Sequence, residues 1–557
     1  MKKIMGLSAI AFAVLAGCSS TSTMTSSTAN SSLIPDSLVV SPNDAREYKT
    51  LKLDNEIDVI LISDPSVEKS AAALSVGVGL LHDPVSQQGM AHYLEHMLFL
   101  GTDRYPDTKG YSDFMTKNGG AHNAYTWLDI TNYMFKVNND AYDEALDRFS
   151  DFFKAPKLYP EYTDKEKNAV NAEWSMRREM DFFGQFKLAR KMMGDHPANR
   201  FLIGNLETLG DKEGSDLHKE TVAFYNKYYS SNIMKVAMIS NRPLAEMEAK
   251  AKQYFADIEN KHIEKPTVTD KLDFDKAGGK RVYYSPNEDV KQLQLEFTIT
   301  DNSSQFAVKP NRFVSYLLSN EMQGSPAQIL RDKGWVSRLS ASDAPTQYGN
   351  YGSLTVSIEL TDAGMQNREE IVAMVMQYIA LIKEQGVDSK YFNEIRTSLN
   401  NEFQFLEKGD EFGYVSNLTD SMQKFPVNNA INAPYYYAKF DADAVQNVLS
   451  QLNEETLRIW YISKQEETDS QLHFYDGKYR IEDISDEEVA SWNKPSEYAL
   501  ALPTVNRLLP ESFAIKTAEF KQQAHPKLVF DKQGVKVWRQ ASQQFAEQPK
   551  GLVEVYI

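Results

Sequence analysis

The chain has 557 residues, 42% of them hydrophobic and 25% charged, and a formal net charge of −17. That length holds several domains of about 100–200 residues each. The acidity argues against nucleic acid and anionic membrane surfaces as main partners; it serves solubility first and would also suit cationic ligands.

At the N-terminus Lys2 and Lys3 precede an apolar run from Ile4 to Ala16. The run is shorter than the roughly 20 residues that span a bilayer, and it reads as a secretory signal over residues 1–17. The only cysteine, Cys18, follows Leu15-Ala16-Gly17, so no intrachain disulfide forms. Leu-Ala-Gly-Cys resembles a bacterial lipobox, which implies cleavage before Cys18 and lipidation of it; the plainer alternative is a cleavable signal with an incidental cysteine. Residues 18–35 form a tether, since 11 of the 14 residues 19–32 are Ser or Thr and bury no core. Ser19 resembles the default outer-membrane signal of lipoproteins in double-membraned bacteria. The expected location is the periplasmic face of the outer membrane, held there through the lipid alone; a soluble periplasmic protein is the alternative.

A first folded domain is expected over 36–262. β-rich runs at Asp58–Ile62 and Ala71–Leu81 flank the turn Asp64-Pro65-Ser66. A helix follows Pro84. The stretch "AYTWLDITNYMFKVN" predicts a hairpin in which Tyr133, Phe135 and Val137 alternate with Asn132 and Lys136. Helices are predicted over Asp140–Phe153 and Asp164–Met180. Strands and helices mixed in this way define an α+β domain. After a linker at 263–276 the order recurs over 277–494: strands at Lys280–Ser285 and Gln292–Thr300, a helix at Pro310–Glu321, a hairpin ending in "GSLTVSIEL" and a helix at Arg368–Gln385. No histidine lies between His262 and His473, so this second copy has no counterpart of the motif described next. A second linker covers 495–526. The strands "KLVFDKQGVKVWRQ" and "GLVEVYI" then open a truncated third unit over 527–557, and a lone strand pair is not an independent domain.

The chemistry sits in "HYLEHMLFLG", residues 92–101. A chain with 9 histidines in all places two of them four apart here, with Glu95 between. On a helix such residues share a face, with Cβ atoms about 6 Å apart, so His92 and His96 can meet one zinc ion through their imidazole nitrogens. Glu95 flanks the metal, where a general base belongs. Catalytic zinc takes three protein ligands and one open position. The predicted helix "DKEKNAVNAEWSMRREMD" offers Glu166 and Glu173, seven apart and on one face. Physics alone leaves either as the third ligand. Glu166 also has a local reading, because Thr163-Asp164-Lys165-Glu166 fits a capping box.

His92-x-x-Glu95-His96 is the inverted zinc motif. Together with "GGAHNAYTWLDITNY", "EKNAVNAEW" and "GNLETL" it makes the chain resemble the pitrilysin/insulysin family of zinc metalloendopeptidases, from about residue 40 onward. The resemblance implies tandem pitrilysin-like α+β domains and one zinc per chain. It implies Glu173 as third ligand, 77 residues after the second histidine, and Glu166 as a supporting acidic residue. It also implies that Asn123 and Ala124 lie on the edge strand that pairs with peptide substrates. Tyr125 lines a side-chain pocket or is ordinary hairpin core; the residues do not choose. Family members carry four such domains in two halves, so the resemblance covers the first half plus a stub. The enzyme would then be a zinc endopeptidase acting on short peptides. It competes with a zinc-binding half that needs a C-terminal-half chain, and with a non-catalytic scaffold.

Overall fold

The computed structural model describes residues 34–510, 512–514, 525–540 and 553–555. The expected signal, Cys18 and all of the tether before Ile34 lie outside the described residues. Among the described residues no helix is long and apolar enough to cross a membrane.

Two sheets organise the chain. The first joins β1 (Glu47–Lys52), β2 (Asp58–Ser63), β3 (Lys69–Val76), β4 (Ala121–Thr126), β5 (Thr131–Asn138) and β6 (Met234–Ser240) in the order β1-β2-β6-β3-β5-β4. The second joins β7 (Lys280–Ser285), β8 (Lys291–Thr300), β9 (Val336–Ala344), β10 (Tyr351–Leu360), β11 (Leu457–Ser463), β12 (Ser470–Gln471) and β13 (Lys478–Asp483) in the order β12-β13-β7-β11-β8-β10-β9. Each sheet has one parallel pair, β2 with β6 and β7 with β11, and antiparallel neighbours elsewhere. The strands β2-β6-β3-β5-β4 and β7-β11-β8-β10-β9 follow the same path, so this is an α+β fold built twice; the next strand outward differs, since β1 precedes β2 in the chain whereas β13 follows β11. β14 (Lys527–Lys532) and β15 (Val535–Arg539) form a separate exposed hairpin, and Val553–Val555 carries no strand.

Several elements depart from the predicted bounds for visible reasons. The strand expected over Ala71–Leu81 stops at Val76. Beyond it the chain passes so close to the β4–β5 turn that a Cβ on Gly79 would lie 2.2 Å from the Trp127 carbonyl oxygen. The helix expected over Pro310–Glu321 ends at Leu318, and that over Arg368–Gln385 ends at Leu381 and runs into a π-turn over Ile382–Gly386. No capping box forms at Thr163. A short 3-10 turn at Pro160–Tyr162 makes Tyr162 the N-cap, the Thr163 hydroxyl finds no partner, and Glu166 turns to other groups.

One face of the first sheet packs on helices of its own unit; Tyr133, Phe135 and Val137 lie in that core. The other face is covered by the helix Glu411–Lys424, which follows the second unit's hairpin in sequence. Its Val415, Leu418 and Met422 bury against Ile60, Ala73 and Met134. Fully burying an apolar side chain contributes roughly 1.5–3 kcal/mol, so these three tie the units firmly. Asn132, which the alternation placed toward water, is fully buried under this helix, and its Nδ2 donates to the Ser416 carbonyl at 3.0 Å.

Candidate metal centre

The motif lies on the helix Met90–Leu98. Gly89 precedes it with φ +98°, and a Cβ there would stand 2.3 Å from the Gly204 Cα. Only glycine permits that approach. Asp83 accepts from the Gly89 and Ala91 N–H groups at 2.7 and 2.8 Å, anchoring the first turn. The close packing brings the Ile203 carbonyl to His92, whose Nδ1 is 2.8 Å away. A carbonyl accepts, so Nδ1 carries the proton and Nε2 presents its lone pair to the cleft.

Glu173 comes from the helix Thr163–Arg177, which crosses the motif helix. Its Oε2 stands 3.5 Å from His92 Nε2 and its Oε1 stands 3.4 Å from His96 Nε2. The imidazole rings meet edge to face at 4.9 Å. One ligand atom from each of the three residues lies within 4.8 Å of the others, a grouping able to hold a metal ion. The donor chemistry fits: two imidazoles offer Nε2 toward one carboxylate, and each has its other nitrogen engaged from behind. The second engagement is Glu166, whose Oε2 is 3.6 Å from His96 Nδ1. Thus, of the two acidic candidates that spacing left open, Glu173 faces both histidines and Glu166 sits behind one. Burial alone would lower the His96 pKa, but Glu166 and Glu173 outweigh it and raise it to about 9. Pairing with His92 and then His96 holds Glu173 well below the usual carboxylate range. Arg177 Nη2, 3.1 Å from Glu173 Oε2, is a further partner that spacing did not single out.

Glu95 is buried, and Thr126 donates to its Oε2 at 2.6 Å. Thr126 ends β4, the edge strand of the first sheet. On β4 Asn123 is exposed, while Ala124 and Tyr125 are half-buried. The Tyr125 ring packs on the cluster shared with the helix Glu411–Lys424, and its hydroxyl accepts from Asn132 Nδ2 at 3.1 Å. Tyr125 is therefore core on one side and cleft wall on the other. The cleft, about 670 Å³, is lined by the three grouped residues, Glu95, β4 and an aromatic wall of Trp127, Phe183, Phe186 and Tyr475. Trp127 and Phe186 stack at 5.5 Å. Thr126, the Ile203 carbonyl and this wall escaped sequence reasoning, because each reaches the motif only through tertiary packing.

The second unit holds a changed copy of the arrangement. The two sheets align when Ser75, which pairs with Lys235 and Asn132, is set against Glu296, which pairs with Arg458 and Thr355. Following the ladders outward puts Asp343 where Thr126 stands. Ser315 donates to Asp343 Oδ1 at 2.7 Å, as Thr126 donates to Glu95. Tyr316 then stands for His96 and Arg312 for His92. Tyr316 donates at 2.7 Å to Glu394, the counterpart of Glu173, whose other oxygen accepts the Asn506 N–H at 2.6 Å.

The fold is that of a peptidase family. Three family models match in sequence: "Insulinase (Peptidase family M16)" over residues 58–196, "Peptidase M16 inactive domain" over 218–399 and "Middle or third domain of peptidase_M16" over 403–557. The chain belongs to the insulinase family, M16. It is 37% identical to Protease 3 of Salmonella typhimurium over 519 residues, 93% of this chain and 54% of that one. It is 34% identical to the insulin-degrading enzyme of Drosophila melanogaster, covering 90% of this chain and 51% of that one. The crystal structure of pitrilysin superposes with a TM-score of 0.87 at 36% identity, covering 93% of this chain and 55% of that one. The chain thus spans about half the length of the curated relatives it matches.

Proposed function

We propose that the chain is the zinc-binding half of a metalloendopeptidase that cleaves short peptides, with His92, His96 and Glu173 as the zinc ligands. The observation that carries this reading is the convergence of two Nε2 atoms and one carboxylate beside an open sheet edge. Two imidazoles and a carboxylate are a donor set of catalytic zinc, which keeps a fourth position for water or substrate. When bound there, zinc supplies a Lewis acid and a source of hydroxide near neutral pH. The rest is the work of the chain's own side chains. Glu95, oriented through one oxygen by Thr126, uses the other to take the proton of the attacking water and return it to the departing amine. Glu166 keeps His96 in the tautomer that offers Nε2. Asn123 and Ala124 pair with substrate backbone as an added strand, so position matters more than side-chain identity, and Tyr125 meets a substrate side chain. The domain scheme proposed is 36–262 catalytic, 277–494 non-catalytic and 527–557 the opening of a third unit, with linkers at 263–276 and 495–526. The lipidated Cys18 would hold the protein at the periplasmic face of the outer membrane.

A second reading, that this half binds zinc and needs a C-terminal-half chain for turnover, is favoured by the span of about half the relatives' length. One experiment tests the shared core of both. The purified protein should carry about one zinc per chain, and His96→Ala should lose most of it. Full zinc occupancy in that variant would sink the assignment. Cleavage of a quenched fluorescent peptide, with and without an added second half, then separates the two readings.

A further inference from the structure

The helix that carries Glu173 is poorly anchored in its own unit. Across Thr163–Arg177 only Glu166 and Val170 are buried, and Glu166 is a carboxylate. Its C-terminal end is gripped instead by the second unit. The loop 472–477 joins β12 to β13, closed by the Leu472 N–H on the Gly477 carbonyl at 2.9 Å. At its centre Phe474 has φ +71°, a left-handed backbone that an aromatic residue adopts only under constraint. That conformation aims its carbonyl at Trp174, whose indole N–H donates at 2.8 Å. Two residues on, Asp476 accepts Arg178 Nε and Nη2 at 3.1 and 2.7 Å and returns its own N–H to the Arg178 carbonyl at 3.1 Å. The Phe474 ring lies against Phe201 at 4.3 Å between centroids.

These contacts land beside the proposed metal ligands. Trp174 directly follows Glu173. Phe201 is two residues before Ile203, whose carbonyl fixes the His92 tautomer. One short loop therefore holds both the helix bearing the carboxylate and the strand of chain that orients an imidazole.

We propose that loop 472–477, through Phe474 and Asp476, is a positioning element that sets Glu173 and His92 at ligand distance, and that this is a task of the unit that has no metal motif of its own. The inference rests on His92, His96 and Glu173 being the zinc ligands. Phe474 and Asp476 do not line the cleft, so their effect runs through the ligands' placement. A supporting residue outside the ligand set typically changes metal affinity about 10- to 100-fold.

The test uses the full chain with Trp174→Phe, which deletes the indole donor, Phe474→Ala, which deletes the ring, and the two combined. Phe474→Tyr serves as conservative rescue. Gln423→Ala is the control, because it loosens the contact between units elsewhere, at Ser75 and Ile233. Zinc release into excess chelator should speed up about tenfold in each single variant and further in the pair, with Phe474→Tyr and Gln423→Ala near the parent whatever their melting temperatures. In metal-free protein, amide exchange should rise across residues 170–178 in the double variant and stay unchanged in the control. Zinc release within twofold of the parent, or unchanged exchange in that helix, would overturn the proposal. A parent chain that takes up no zinc, yet shows the exchange difference, would instead remove the ligand assignment and leave the loop's grip on the helix standing.

Discussion

Glu173→Gln and Glu166→Gln, compared side by side, separate ligand from support. Glu173 places its two oxygens 3.5 and 3.4 Å from the two Nε2 atoms. The amide keeps the shape but loses the charge, and it turns one acceptor into a donor facing lone pairs. The site falls from three good ligands to two. Losing an outer partner costs about 10- to 100-fold in metal affinity, so losing a ligand should cost on the order of 1000-fold or more, which is about 4 kcal/mol at 1.4 kcal/mol per decade. Glu166 acts through His96 Nδ1 from 3.6 Å. Its amide should cost about 10- to 100-fold, or roughly 1.4–3 kcal/mol, and should lower activity more than zinc content. The assay is metal content after dialysis against a buffered chelator, then a competition titration for the dissociation constant. If Glu166→Gln loses more zinc than Glu173→Gln, the roles are reversed and the reasoning from Nε2 geometry fails.

Other outcomes follow from the same contacts. Glu95→Gln should keep zinc and lose peptidase activity, and an active variant would place the base elsewhere. Thr126→Val removes the donor to Glu95 Oε2; it should leave zinc content alone and slow turnover about 10- to 100-fold, as loss of a charged hydrogen bond worth about 1.5–3 kcal/mol suggests, with kcat and KM read separately. The His96 pKa of about 9 exceeds its ordinary value, so in the metal-free chain its pairing stabilises below pH 6.5 and is lost as pH rises to 9. The depressed Glu173 works the other way, its stabilisation lost as pH falls through its folded value. Zinc needs the neutral imidazole, so the zinc-induced rise in melting temperature should grow from pH 6.5 to 9 with proton release; a flat profile would mean that zinc displaces no proton from a raised His96. Under the second reading, peptide cleavage by this chain is slow without an added second half. Adding a second half from a full-length relative should raise the rate, and robust turnover indifferent to such a partner would refute this.

The elements readable in the sequence were those whose logic is local. The spacing of His92, Glu95 and His96 needs only a helix, and the hairpin carrying Asn123 to Tyr125 needs only alternation and a turn. The choice between Glu166 and Glu173 was not local. It depended on which face of the crossing helix meets the motif, and resemblance supplied the number that periodicity could not. Thr126 and the Ile203 carbonyl were invisible because their roles arise where a strand end and a Gly204 loop happen to abut the motif helix. Asn132 was misread for a related reason: a strand covered on both faces carries no alternation signal, and its cover is more than 270 residues away in sequence at Ser416.

The paired sheets also say why the donors that could hold a metal occur in one copy and not in the other. Both keep the carboxylate on the crossing helix and the hydroxyl–carboxylate bond between motif helix and edge strand. In the second copy the bond is inverted, with the hydroxyl on the helix at Ser315 and the carboxylate on the strand at Asp343. That change alone removes a base from the helix face. Tyr316 and Arg312 then replace both nitrogen donors: a tyrosine hydroxyl donates its hydrogen bond to Glu394, and an arginine has no lone pair to give. Glu394 spends its remaining oxygen on the Asn506 N–H, inside the proposed second linker. The carboxylate that would hold a metal in the first copy thus fastens the outgoing chain in the second. Glu394→Ala should accordingly free the segment around Asn506 to proteolysis while leaving zinc content at the first site unchanged. Unaltered cleavage of that segment would mean that the carboxylate does not fasten the outgoing chain.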